Sequence, residues 1–123
     1  MFGKIKFFFA NEFFHNPIIQ WLLIVSLFFN LVDWGLLAYF IRPSESAVIL
    51  HYNVFFGVDI LGEWWQAFLL TGTGTLFLLT NLLLAYLFYQ GKERIASYLF
   101  LLGTFFIQLG ILISCAAVIR INY

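Results

Sequence analysis

Residues 18 to 41 have the sequence IIQWLLIVSLFFNLVDWGLLAYFI, an apolar run with few polar side chains. A helix needs roughly 20 such residues to cross the hydrocarbon core of a bilayer, which is about 30 Å thick. Asn16 is a good N-cap before this run, and Pro17 fits the first helical position, where its missing N–H costs nothing. The run closes at Arg42-Pro43, because the residue before a proline is pushed out of helical geometry. The stretch therefore predicts a first membrane-spanning helix over residues 18–41.

Two further segments, 66–89 and 95–119, are long and apolar enough to be spans. Only residues 90–94 separate them, and a connection this short forces an antiparallel helical pair. Gly91 is predicted to take the left-handed conformation that ends a helix. Residues 42–65 form a longer loop outside the bilayer.

The composition agrees with a membrane protein, since 63% of the 123 residues are hydrophobic, 10% are charged and the mean hydropathy is +0.98. A chain this short cannot bury so much apolar surface in water. The predicted fold class is an all-α membrane protein, a bundle of three transmembrane helices with a short extended or hairpin outer loop. With a net charge of zero, the chain lacks the basic surface that nucleic-acid binding requires. The single cysteine excludes an internal disulfide.

Residues 1–16 are predicted to be a cytoplasmic interfacial segment, or a plain lead-in to the first span. They resemble the start of a signal peptide, but the apolar run that follows is too long, so an uncleaved anchor is expected. The expected location is an inner or plasma membrane. Four basic residues (Lys4, Lys6, Lys92 and Arg94) lie on the N-terminal side of the predicted topology, against Arg42 and Arg120 on the other. The N-terminus is therefore predicted to be cytoplasmic, with the long loop and the C-terminus outside.

Polar residues at matching depths in the three spans predict an intramembrane cluster. A carboxylate in hydrocarbon costs at least about 2.5 kcal/mol, so Asp33 is the most informative of them, and with no cation near it in sequence it is expected to be protonated. The predicted cluster contains Asn30, Asp33, Thr75, Asn81 and Gln108. Hydrogen-bonding between helices is the main interpretation. A proton or ion relay, or contact with another subunit, is the alternative.

The third span carries small residues at intervals of seven, a spacing that lets helix backbones approach closely and favours left-handed crossing. This small-residue seam contains Ala96, Gly103, Gly110 and Ala117 at that interval, together with Ser114, four residues after Gly110. It is expected to pack against another helix of this chain, or alternatively against a copy of itself. The sequence Thr71-Gly72-Thr73-Gly74-Thr75 is not a phosphate loop, because no lysine follows it and it is predicted to lie in lipid.

Residues 47–65 are too apolar for an ordinary solvated loop, and their β-branched and aromatic residues favour a short hairpin. Its candidate recognition residues are His51, Asn53, Gly57, Asp59, Glu63 and Trp64. Metal binding through His51, Asp59 and Glu63 is not expected, since their spacing matches no compact zinc motif. Satisfaction of backbone groups within a buried turn is the simpler interpretation.

His51, Asn53, Gly57 and Asp59 resemble a bacterial membrane-protein domain of unknown function that carries His-aromatic-Asn, then Gly, then Asp. That domain occurs in immunity proteins against a secreted peptide toxin. The resemblance covers about twenty residues; Ile49 stands where the family has proline, and Gly57 is one position late. The whole chain is similar to small three-span bacterial membrane proteins of uncharacterised function.

The sequence predicts a protein that acts by association, as an accessory subunit or scaffold, with the bilayer and a membrane protein or a second copy as partners. No catalytic residue, metal or cofactor is expected. One alternative is an immunity or sensor protein that binds a peptide or lipid through the outer loop. The other is a subunit of a proton- or ion-handling complex that uses Asp33.

Overall fold

A computed structural model gives the fold, which is mostly helical with one small two-stranded hairpin. It describes residues 12–53, 55 and 57–122, without the side chains of residues 52, 53, 58 and 59. The elements in chain order are α1 (Glu12–His15), α2 (Pro17–Phe40), β1 (Val48–Asn53), β2 (Gly57–Gly62), a 3-10 helix (Trp64–Ala67), α3 (Phe68–Gln90) and α4 (Arg94–Asn122). The three long helices are long enough and apolar enough to cross a membrane.

The start of α2 is fixed by its cap. The Asn16 side-chain oxygen accepts hydrogen bonds from the backbone N–H groups of Ile18 (2.9 Å) and Ile19 (3.4 Å), and Pro17 occupies the first turn. These bonds satisfy two of the N–H groups that a helix start leaves without partners. The predicted capping roles of Asn16 and Pro17 are therefore confirmed.

Helix α4 lies between the other two and packs along both of them, whereas α2 and α3 touch each other less. The face that α4 turns inward repeats with a spacing of about three and four residues. It consists of Ser97, Leu101, Thr104, Gln108, Cys115 and Val118. Such a spacing averages 3.5 residues, the period of helices that wrap around each other with a left-handed twist.

The turn between α3 and α4 differs from the prediction at one residue. Gly91 has a φ of −81°, whereas Lys92 has a φ of 64° and takes the left-handed conformation. The Gly91 N–H donates to the Leu87 carbonyl (3.1 Å) and the Glu93 N–H to the Phe88 carbonyl (2.8 Å). The prediction for Gly91 was wrong because the helix pattern of hydrogen bonds continues one residue further before the chain reverses.

The two strands form an antiparallel hairpin with an irregular register, in which Asn53 pairs with Gly57 and His51 with Ile60. Gly57 has a φ of 77°, a conformation that glycine adopts without steric cost. The hairpin is fastened to the far end of α4. The Asn122 side chain accepts from the backbone N–H of Ile49 and donates to its carbonyl, both at 2.8 Å. We call this the hairpin end of the bundle and the Gly91–Glu93 side the turn end.

The turn end is closed by α1. Phe13 is fully buried against Ile19, Ala85, Tyr89 and Leu101. Of the predicted interfacial segment, residues 1–11 lie outside the described residues. The described remainder is a four-residue helix with Phe13 in the core.

Candidate functional site

The centre of the bundle is a polar network that joins all three long helices. Asn30 of α2 donates its side-chain amide to the Gln108 Oε1 atom of α4 at 3.1 Å. Gln108 in turn donates through Nε2 to the backbone carbonyl of Gly74 in α3 at 2.7 Å. Thr75 lies next to them, with its hydroxyl 3.2 Å from Asn30 Oδ1 and 3.0 Å from the Thr71 carbonyl.

The network extends to the bundle surface through Trp34. Its indole N–H donates to the Thr75 hydroxyl at 2.9 Å, so the most polar atom of an otherwise apolar ring has a partner. Apolar clusters lie on either side of the network along the bundle axis. The hairpin-end cluster contains Leu37, Ile41, Ala67, Cys115 and Val118, and the turn-end cluster surrounds Phe13. The hydrogen bonds are thus enclosed between two apolar layers.

Gly74 has a steric reason to be glycine. A Cβ atom there would lie 3.2 Å from Gln108 Oε1, which is a tight contact, and 3.5 Å from Asn30 Nδ2, which is an ordinary one. A Cβ atom at Gly72, two positions earlier on the same stretch, would meet nothing within 4 Å. The glycine at 74 is therefore what lets the Gln108 side chain reach the α3 backbone.

The structure brings together Asn30, Thr75 and Gln108 of the predicted cluster, but it leaves Asp33 and Asn81 outside the hydrogen bonds. Asp33 is 0% exposed, and within the described part of the chain neither of its carboxylate oxygens has a hydrogen-bond partner. Asn81 is half-buried on α3, seven residues or about 10 Å beyond Gly74, and takes no part in the network. Asp33 is buried as predicted by its helical stripe, but it does not hold the helices together through hydrogen bonds.

The small-residue seam on α4 faces outward, contrary to the expectation that it packs against another helix of this chain. A Cβ atom added at Gly103 or at Gly110 would meet nothing within 4 Å. Gly110 and Ala117 are exposed, and the Ser114 hydroxyl donates only to the Gly110 carbonyl of its own helix, at 2.9 Å. Ala96 is half-buried at the turn end. The seam is therefore an exposed surface of the described chain, since α4 uses its polar stripe for both of its neighbours.

The predicted recognition residues in the hairpin are separated by the fold. His51 is exposed on β1, and Gly57 begins β2 directly after the turn, with a φ of 77°. The side chains of Asn53 and Asp59 lie outside the described residues. Glu63 is exposed but already forms hydrogen bonds within the chain. Its carboxylate accepts the Trp65 indole N–H, and its backbone N–H donates to Gln66 Oε1 at 2.7 Å. Glu63 and Gln66 thus form a capping box that starts the 3-10 helix.

Trp64 packs inward and stacks edge-on against Phe68, next to the hairpin-end cluster. Its role is to seat the loop on the bundle. Among the described residues, no three His, Cys, Asp or Glu side chains lie close enough together to hold a metal ion.

Two polar links were not foreseen from the sequence. Asn16 also donates through Nδ2 to the Tyr98 hydroxyl at 2.8 Å, which ties the start of α2 to α4. Asn122 fastens the hairpin. Each link starts from an asparagine at a helix end. Its partner, a tyrosine in one case and a strand backbone in the other, is distant in sequence, and no sequence pattern marks that tyrosine or that strand as the one to be bonded.

Comparison with known proteins adds no relatives: no family model, curated protein or solved structure matches the chain. The resemblance of the hairpin residues to an immunity-protein domain therefore stays a prediction.

The contrast between Gly72 and Gly74 gives a matched test of the polar network. We expect Gly72→Ala to raise the free energy of unfolding by about 0.5–1 kcal/mol, because alanine is the better helix former and the space is open. Gly74→Ala should instead lower it by about 1 kcal/mol, because the new methyl group displaces the Gln108 amide, which is held by hydrogen bonds on both sides. The measurement is unfolding by a denaturing detergent in mixed micelles. Equal effects of the two substitutions would show that Gln108 does not depend on the gap at residue 74.

Proposed function

We propose that the chain is a small integral membrane protein that acts by association, as an accessory subunit or scaffold. The observation that carries this proposal is the distribution of polarity: polar side chains lie inside the bundle and large apolar ones lie outside, the reverse of a water-soluble protein. The buried side chains include Ser26, Asn30, Asp33, Thr71, Ser97, Thr104 and Gln108, whereas the exposed ones include Trp21 (69%), Leu31, Leu76, Leu83, Ile95 (74%), Phe106 and Ile113.

A bilayer explains this distribution. In water, each large apolar side chain left exposed forgoes roughly 1.5–3 kcal/mol of burial, and the outer surface of all three long helices is made of such residues. In hydrocarbon the same side chains lose nothing by facing outward, while polar groups must find partners inside. The chain is suited to lipid on its outer surface and to hydrogen bonds at its centre.

Association is supported by the outward face of α4. Each glycine in a helix costs about 1 kcal/mol relative to alanine, and neither Gly103 nor Gly110 makes room for a neighbour within the chain. In lipid, small residues on one face allow a second helix to approach closely and pack by van der Waals contact. We therefore place a partner helix, either from another membrane protein or from a second copy, on the small-residue seam.

Substitution of Gly110 by leucine tests the association. We expect Gly110→Leu to reduce recovery of the partner, or of the dimer, at least about fivefold, because added bulk in a tight contact costs about 1–3 kcal/mol. The measurement is purification in mild detergent at native abundance, with identification of the proteins that come with the chain. The matched control is Gly35→Leu, since Gly35 is an outward glycine of α2 that also has open space around it. An equal effect of both variants, or a wild type recovered alone as a monomer, would overturn the association.

We also propose that the turn end faces the cytoplasm and the hairpin end lies outside, since basic residues concentrate on the former side. A matched pair of cysteines tests this orientation in a Cys115→Ala background. An impermeant maleimide added to intact cells should label Glu45→Cys near the hairpin but label Glu93→Cys in the turn only after permeabilisation. Labelling in the reverse order would invert the topology.

A second candidate function, proton or ion handling, is favoured by one observation. Asp33 is fully buried and its carboxylate has no hydrogen-bond partner among the described residues, although an unsatisfied buried polar group costs about 1–3 kcal/mol. Intramembrane acids that are kept at such a cost commonly mark proton or ion pathways.

Two substitutions of Asp33 separate this candidate from a structural role. We expect both Asp33→Asn and Asp33→Leu to leave the unfolding free energy unchanged, or to raise it by about 1–3 kcal/mol in the leucine variant, because no bond is lost. A proton-handling role further requires that both variants lose proton flux in reconstituted vesicles, measured with an entrapped pH dye. Unchanged flux in Asp33→Asn would exclude the relay, and loss of assembly in both variants would make Asp33 structural instead.

A further inference from the structure

An apolar groove of about 460 Å³ runs along the surface where α2 meets α4, at the turn end of the bundle. Its walls include Ile18, Trp21 and Leu22 from α2 and Tyr98, Leu99 and Leu102 from α4. The groove is open on its outer side, toward what we propose to be lipid. It lies away from the polar network, and on α4 it borders the small-residue seam, because Leu99 is about one helical turn from both Ala96 and Gly103.

The groove continues toward the middle of the bundle. A second cavity of about 170 Å³ shares Trp21, Leu22 and Leu102 with the first and adds Val25 and Phe105. Along α2 the two together extend from Pro17 to Val25, about 12 Å at 1.5 Å per residue. One leaflet of a bilayer has a hydrocarbon depth of about 15 Å, half the total thickness. The groove therefore has most of the length of one leaflet and the same direction as a lipid chain.

The lining determines which ligand chemistry fits. The polar atoms among the lining side chains are the Trp21 indole N–H and the Tyr98 hydroxyl, and the hydroxyl is already bonded to the Asn16 amide at 2.8 Å. A polar solute would find few hydrogen bonds there. A flexible hydrocarbon chain needs none, and it would fill the groove with apolar contacts alone.

A cation lies at the turn end of the same face. Arg94 begins α4 and occupies the helical stripe of Tyr98 and Leu102, since the three are spaced by four residues. Its side chain is 61% exposed, and its guanidinium lies over the Tyr89 ring of α3, 5.4 Å from the ring centroid. The carboxylate of Glu12, 83% exposed, is 3.8 Å away. An exposed pair at this distance is weak, so the guanidinium can exchange Glu12 for another anion.

We propose that the groove between α2 and α4 binds the acyl chain of an anionic phospholipid, with the lipid phosphate paired to Arg94. Arginine suits this task because its planar donors match a phosphate group in a two-pronged arrangement. The proposal rests on the membrane location proposed above and adds to it one site, one lipid class and one recognition residue.

Trp21 reports directly on the groove when it is the sole tryptophan. The reporter protein carries Trp34→Phe, Trp64→Phe and Trp65→Phe, and its helical circular dichroism is compared with the wild type. It is reconstituted in phosphatidylcholine vesicles that contain either brominated phosphatidylglycerol or brominated phosphatidylcholine. Trp21 fluorescence should reach half-quenching at about fivefold lower content of the anionic lipid, the factor that one basic side chain supplies at an anionic surface.

Three controls isolate the site. Arg94→Gln should abolish the preference for the anionic lipid, whereas Arg120→Gln at the other end of α4 should leave it intact. In a Trp21→Phe protein, Leu87→Trp places the reporter on the exposed surface of α3 at a similar depth but away from the groove. That reporter should be quenched equally by both lipids. Native mass spectrometry of the wild type and Arg94→Gln repeats the comparison without tryptophan changes, with a retained phosphatidylglycerol expected in the former alone.

The outcomes separate this proposal from the membrane location. Equal quenching of Trp21 by both lipids would overturn the site and leave the location standing. Protection of Trp21 from both lipids, with normal quenching of the Leu87→Trp reporter, would show that residues 1–11 or a second copy covers the groove, which also overturns it. Absence of quenching from both reporters would overturn the membrane location itself.

Discussion

The carboxamide of Gln108 hydrogen-bonds to both of the other long helices, and the arrangement of the bundle depends on it. Its oxygen accepts from Asn30 and its nitrogen donates to the Gly74 carbonyl. An amide has fixed donor and acceptor sides, so the two bonds specify one rotation and one height of α4 relative to its neighbours. Apolar contacts are less specific, because the clusters above and below would tolerate a small slide. The polar layer therefore sets the register that the apolar layers then fill.

Much of this architecture could be predicted from the sequence, since helix length and apolar content identify three spans, and Asn16 with Pro17 marks the start of the first. The stripe of Ser97, Thr104, Gln108 and Cys115 also has a clear helical period. The direction of the small-residue seam could not be predicted, because the seam and the polar stripe share the same period on one helix. Side-chain polarity decides between them: a glutamine amide without a partner costs roughly 2–7 kcal/mol in an apolar setting, which exceeds the cost of about 1 kcal/mol for a helical glycine.

The candidate site was predicted in part for a related reason. The position of each residue along its span correctly predicted that Asn30, Thr75 and Gln108 lie at similar depths in the bundle. Depth alone, however, does not determine the direction in which a side chain points. Asp33 follows Asn30 by one helical turn and faces the same interior, yet neither of its oxygens is hydrogen-bonded by any described residue, including those of the hairpin-end cluster around Leu37 and Cys115. A buried acid without a partner is more informative than a bonded one, because packing alone does not require it. The hydrogen bonds between Asn122 and the backbone of β1 could likewise not be predicted, because residue periodicity carries no information about them.

Helix α4 is uninterrupted from Arg94 to Asn122, a rod of about 44 Å at 1.5 Å per residue. One of its ends carries the cation beside the groove, and the other grips the hairpin through Asn122. A rigid rod cannot turn or slide at one end alone. Because Asn122 at the end of this helix bonds the Ile49 backbone, a shift of α4 along its axis would strain the attachment of the hairpin at the opposite surface.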